Sequence, residues 1–156
     1  MRITLGAGAI ALAVTISLVQ PVAAQQRPAP TDSVTLTPGA VMRVILLRFL
    51  PGKGPEATLD IRRNVLPVLE DEKAAGIIVN YSVMTNSTTD SPDDWNFGYV
   101  VSYANWAALD SLGARTGPIT LRHYGTAEAR TAAANHRAEL WTVVQSRLVR
   151  AQNVSR

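Results

Sequence analysis

The chain has 156 residues, 15 Lys and Arg against 12 Asp and Glu, a formal charge of +3 and no cysteine. Disulfides, thiolate metal sites and lipid attachment through a cysteine are excluded. With so small a surplus and no basic cluster denser than Arg62-Arg63, there is no phosphate-tracking stripe for nucleic acid.

The first 24 residues stand apart from the rest. Met1-Arg2 makes a short basic start, Ile3 to Val19 is almost wholly apolar or small, and Pro21 precedes Val22-Ala23-Ala24. This resembles a secretory signal peptide cut after Ala24, and predicts an exported protein, periplasmic or secreted, with no membrane attachment after cleavage. A retained N-terminal anchor is the competing reading, since the apolar run is only slightly short of the roughly 20 residues that span a bilayer. Pro21 and the lack of a basic stop-transfer cluster favour cleavage. Residues 25–39, QQRPAPTDSVTLTPG, are polar and proline-bearing and predict a disordered leader. Residues 40–151 make one domain's worth of chain, with 152–156 as a tail.

Val41 to Phe49, VMRVILLRF, reads as a strand apolar on both sides. Val41, Ile45, Leu47 and Phe49 fall on one face and Met42, Val44, Leu46 and Leu50 on the other, so both need cover. After Pro51-Gly52-Lys53-Gly54-Pro55, a helix is predicted from Glu56 or Ala57 to Ala75. Leu59, Leu66 and Leu69, widened by Ile61, Val65 and Val68, recur at helical spacing. Pro55 suits the first turn and Gly76 the left-handed residue after the last. Pro67 removes one internal hydrogen bond and predicts a bend.

Ile77 to Met84 predicts a second strand, with Ile77, Val79, Tyr81 and Val83 on one face. Thr85 to Asp94 is a polar connection, and Trp95 to Tyr103 alternates as a third strand, which pairs with the second as an antiparallel hairpin. Asn105 predicts the N-cap of a short helix through Trp106, Leu109 and Leu112, ended by Gly113. Gly117-Pro118 predicts an interruption before a second helix over Ile119 to Arg137, broken at Gly125. Glu139 to Arg150 fits a helix or a strand. Its β-branched content, and the sheet edge that three strands would leave open, favour the strand.

The predicted class is α+β, a ferredoxin-like β-α-β-β-α-β order in which a four-stranded antiparallel sheet carries helices on one face. The other face is left bare. Val41, Ile45, Leu47, Phe49, Tyr81, Trp95, Phe97, Tyr99 and Trp141, or their alternates, are expected there, and an apolar face of that size predicts an interface. A symmetric homodimer would bury it.

Phe49-x-Pro51-Gly52-Lys53, the internal Pro67, Tyr81, Asp94-Trp95 and Trp106-x-x-Leu109-Asp110 together resemble the dimeric α/β-barrel superfamily. That group includes NIPSNAP-like, antibiotic-monooxygenase-like and stress-responsive domains and exported bacterial members with no assigned activity. The resemblance implies the fold and a dimer whose two sheets pack face to face. It also implies an alternative activity, a cofactor-independent monooxygenase or related small-molecule enzyme, without supplying a motif whose catalytic residues transfer.

His123 and His136 are the only histidines; with no second histidine at i+3 or i+4, no cysteine, and only Glu128 and Glu139 as nearby acids, no metal site of three or four ligands is assembled locally and no cofactor is called for. Asp90, Asp93 and Asp94 lack the glycine turn and late glutamate of a calcium loop. No G-x-S-x-G elbow surrounds Ser82, Ser102 or Ser111, and Gly52-Lys53-Gly54 lacks P-loop spacing. The candidate catalytic residues are His123, Tyr124, Trp106 and Asn80. The plainer reading puts most aromatic residues into core and dimer packing, and the sharper one has Trp106 and a tyrosine lining a pocket for a small planar, apolar or aromatic ligand; without recognisable catalytic machinery the protein is expected to have a ligand-binding or structural role.

Overall fold

The computed structural model describes residues 34–88 and 91–155; the expected signal peptide, most of the expected leader and Asp90 lie outside them. In chain order come β1 (Thr35–Phe49), α1 (Gly54–Asp60), a π-helical turn (Ile61–Val65), α2 (Leu66–Ala74), β2 (Asn80–Thr85) and β3 (Phe97–Tyr103). A 3-10 turn (Trp106–Leu109), α3 (Leu112–Tyr124), α4 (Ala127–Ala138) and β4 (Trp141–Ser155) follow. The sheet order is β2-β3-β1-β4 with every neighbouring pair antiparallel. This is the ferredoxin-like order, each crossover being built from consecutive helical pieces.

The first connection obeys its turn chemistry. Pro51 and Gly52 occupy the two central places of a turn closed by Lys53 N–H on the Leu50 carbonyl at 2.9 Å, and Gly52 takes the φ of 76° that a type II turn requires. Where Pro67 predicts a bend, the helix instead widens. The proline ring crowds the carbonyl four residues back, and the chain meets this with a π turn in which Leu66 N–H reaches the Ile61 carbonyl. At the far end Gly76 N–H bonds to the Lys73 carbonyl and Ile77 N–H to that of Glu72. That pair of bonds is a Schellman motif around Gly76, at φ 67°.

β2 starts later than expected, because Ile77 and Ile78 are already buried in the core. β3 does too, since Asn96 Oδ1 accepts the Phe49 N–H at 2.7 Å where a further ladder carbonyl would stand. Asn105 caps as predicted, accepting from Ala108 N–H, but it starts only the 3-10 turn. The interruptions expected at Gly113 and Gly117-Pro118 are absent, and α3 runs through both. Ile119 is buried beneath it with Leu112 packed alongside, which outweighs the roughly 3 kcal/mol that an interior proline costs. The break at Gly125 is present, with Thr126 capping α4.

Residues 141–155 form a strand. β1 and β4 also extend past the expected domain edges at residues 40 and 151, pairing Thr35 with Ser155 and Pro38 with Gln152. Pro38 fits because β3 joins β1 only from Val41, which leaves the proline on a two-stranded edge.

Val41, Ile45 and Leu47 of β1 and Phe97, Tyr99, Val101 and Tyr103 of β3 face the helices, in two cores completed by Ala57, Ile61, Leu69, Ile119, Leu140 and Trp141. The residues named first for the bare face are therefore largely the helix-packed ones, and their alternates are open. Met42, Val44 and Leu46 line up with Ser102, Val100 and Gly98 on one side and with Val149, Arg147 and Gln145 on the other. Neither core contains them.

A side chain on Gly98 would collide with this open face. Its Cβ would stand 2.7 Å from Leu46 Cδ2 and 3.1 Å from both the Ile45 carbonyl oxygen and Met84 Cγ. Gly98→Val is expected to lower the unfolding free energy by about 1–3 kcal/mol in urea denaturation; wild-type stability would contradict this packing.

Candidate functional site

A cleft of about 300 Å³ opens between α2, α3 and the helix-facing side of β1 and β3. This is within the lower range of small-molecule sites, roughly 300–1,000 Å³. The helical spacing of Val65, Val68, Leu69 and Glu72 puts these four on one wall, and Leu112, Thr116, Thr120 and Tyr124 form the wall opposite. Arg43, Ile45, Tyr99, Val101 and Tyr103 form the floor. The lining is thus mixed, with Ile45, Val65, Val68, Leu69, Val101 and Leu112 apolar and the remaining side chains carrying polar groups.

One end of the cleft is held by a charged network. Asp60 is 9% exposed, accepting Asn64 Nδ2–H on one oxygen at 2.5 Å and Arg137 Nε–H on the other at 2.8 Å. Arg137 also donates to the Tyr124 hydroxyl and stands over that ring. Burial by itself would lower the Arg137 pKa, yet the hydrogen bonds to Asp60 and Tyr124 hold it above its ordinary value. His123 Nε2 lies 3.1 Å from Asn64 Oδ1. Because Asn64 uses its NH₂ on Asp60, that oxygen accepts and Nε2 carries the proton.

Of the four residues singled out from sequence, the structure brings two to this place. Tyr124 lines the cleft and His123 sits behind it, edge-on to the Tyr124 ring at 4.8 Å. Trp106, 47% exposed, lies on the 3-10 turn, and Asn80 is exposed at the start of β2; neither lines the cleft. His136 is on the surface, 3.4 Å from Glu56 and 3.7 Å from Glu139. Asp93 pairs with Arg48. Among the described residues no three His, Cys, Asp or Glu side chains converge to hold a metal, and no helix is long and apolar enough to cross a membrane.

Arg43, Asp60, Asn64, Glu72 and Arg137 were not among the candidates. Their signal was available: Arg43 interrupts an otherwise apolar run, and Asp60, Asn64 and Glu72 fall on the same helical stripe as Ala57, Ile61, Val68 and Leu69.

No protein-family model matches the chain, and no curated protein matches its sequence. Solved structures do. HapK from Hahella chejuensis is similar with a TM-score of 0.47 and 11% identity, over 70% of this chain and 90% of its own. A dimeric protein of unknown function and ferredoxin-like fold from Bacteroides fragilis gives 0.42 and 17%, over 74% and 97%. A dimeric ferredoxin-like protein of unknown function from Jannaschia gives 0.42 and 11%, over 72% and 98%. The likeness is one of fold.

Two effects of burial mark the cleft's polar heads. Burial pushes the Tyr99 and Tyr103 phenols up; Arg137 and, less, Arg43 pull Tyr99 down, Arg43 pulls Tyr103 down, and Glu72 pushes both further up. Burial likewise raises the Glu72 carboxyl above its ordinary 4.5. For Glu72 the folded chain keeps a proton that the unfolded chain has released. Stability from this group is therefore complete below pH about 4.5 and lost as pH rises through the folded value. Glu72→Gln, which does not titrate, is expected to gain thermal stability over wild type at pH 7, a gain that shrinks as pH falls toward 4.5; melting curves at a series of pH values measure it.

Proposed function

We propose that this protein is an exported, homodimeric ferredoxin-like domain that binds a small, planar, largely apolar molecule in the cleft between α2, α3 and the sheet. The cleft itself carries the reading: Val65, Val68, Leu69, Val101 and Leu112 offer apolar surface, and Arg43, Tyr99 and Tyr103 are among the polar groups that would orient a ligand. Export is supported by the residue pattern of Met1 to Ala24. Dimerisation is supported by the open apolar face of Met42, Val44, Leu46 and Val100, which a second copy would cover.

An oxygenase acting on the same ligand is the second reading, favoured by Tyr124 in the cleft and His123 behind it. Oxygen uptake with 2-naphthol that Tyr124→Phe abolishes separates it from plain binding.

Calorimetric titration with 2-naphthol and 2-tetralone, two planar probes with one polar head, is expected to show saturable binding that Thr116→Trp, by filling the cleft, removes. Failure of both probes to bind overturns the ligand reading. In sedimentation equilibrium the wild type is expected to run as a dimer, and Val44→Lys, which sets a second cation beside Arg147, as a folded monomer. A wild-type monomer overturns the assembly.

A further inference from the structure

We propose that Glu72 is a proton-transfer residue of this cleft, taking a proton from, and returning it to, a carbon adjacent to the carbonyl of an aromatic ketone whose oxygen is held by Arg43. The proposal rests on the ligand-binding reading above and adds a reaction to it.

Glu72 is in the last turn of α2, where its own backbone carbonyl closes the Schellman motif. That is the negative end of the helix dipole, an unfavourable place for an anion. The carboxyl is also half-buried in the cleft wall, and among the described residues it makes no ion pair. The titratable groups that share the cleft are Arg43 from β1, Tyr99 and Tyr103 from β3, Tyr124 from α3 and Arg137 from α4.

These groups divide into two sets. Arg137 is neutralised by Asp60 and tied to Tyr124. Arg43 has no carboxylate in an ion pair among the described residues. Arg43, Glu72, Tyr99 and Tyr103 line the same cleft, so the cation, the carboxyl and the two phenols share one region, with Arg137 also acting on Tyr99. An acid or base and an oxyanion holder lining one cleft are the parts that enolisation needs.

The step balances within the site. The Glu72 carboxylate takes the proton, the C–H electron pair becomes the carbon–carbon double bond, and the carbonyl π pair moves to oxygen beside Arg43. The protonated Glu72 then trades its proton with solvent water and delivers a solvent-derived one to the same carbon, giving isotope exchange, or delivers its proton to a conjugated carbon, giving an isomer. No oxidant or cofactor enters.

The test is deuterium incorporation at C1 of 2-tetralone in D₂O, followed by proton NMR with the full-length protein. Acid–base groups contribute about 10²–10⁴-fold, so Glu72→Gln is expected to slow the protein-catalysed exchange by about 10²-fold or more while calorimetry shows 2-tetralone still bound. Glu72→Asp should retain part of the rate. The wild-type rate should rise with pH through an inflection above 4.5 that Glu72→Gln lacks, a readout that a structural role would not move. Circular dichroism establishes that each variant is folded. Exchange no faster than buffer with 2-tetralone bound, or a Glu72→Gln rate equal to wild type, overturns the proposal and leaves the binding reading intact. Absence of binding overturns both.

Discussion

The pairing of β1 along both of its edges is the constraint on which the remaining structure depends. From Val41 to Leu47 every residue is matched to β3, and the same strand runs against β4 from Thr35 to Phe49. Because side chains alternate, this one segment sends Val41, Arg43, Ile45 and Leu47 to the helices and Met42, Val44 and Leu46 to the open face. A slip of one residue would exchange the two sets. It would bury Met42 and Leu46 beneath the helices and remove Arg43 from the cleft. The bulge between Leu46 and Leu47 lets β4 change register without disturbing that assignment.

A second constraint ties the helical layer to itself. Asp60 and Arg137 are 77 residues apart in sequence, and their ion pair joins the α1 end to the α4 end with Asn64 and Tyr124 as further partners. Removing one member of such a pair strands a desolvated charge, at about 3–5 kcal/mol where burial is complete. Here the arginine side chain is 23% exposed, so water reduces that penalty. What the pair fixes is position: Tyr124 is held against the cleft, and Asn64 is aimed at His123.

The fold was legible because its signals are local. Gly76 after an apolar stripe, the Pro51-Gly52 turn, Asn105 as a cap and the alternation through Phe97 to Tyr103 each follow from backbone chemistry over a few residues. Gly117 and Pro118 misled, because the packing of Leu112 and Ile119 that holds α3 together comes from a core shared with α2 and the sheet, which the local sequence does not show. The polar leader boundary misled as well, since the cross-strand partners of residues 35–38 are at the other end of the chain. The site was only partly visible. Tyr124 and His123 stood out as chemistry-bearing residue types, whereas Asp60 and Glu72 were marked only by their place on an apolar helical stripe and Arg137 by nothing local. Their significance lies in which face of each helix the tertiary structure buries, and the widened π turn before Pro67 shifts that face partway along.

The proposed ligand site and the proposed dimer face are opposite sides of the same two central strands. Behind the floor residues Arg43 and Ile45 stand Met42, Val44 and Leu46; behind Tyr99 and Val101 stand Gly98, Val100 and Ser102. A sheet is a single layer of backbone, so whatever settles the open face also fixes the pleat on which Arg43, Tyr99 and Val101 sit. A second copy covering Val44 and Val100 would thus stiffen the cleft floor without touching the ligand. Gly98 shows how little slack that layer has, because Leu46 and Met84 already close over it. The proposed assembly and the proposed binding would for this reason be coupled through β1 and β3, the two strands with neighbours on both sides.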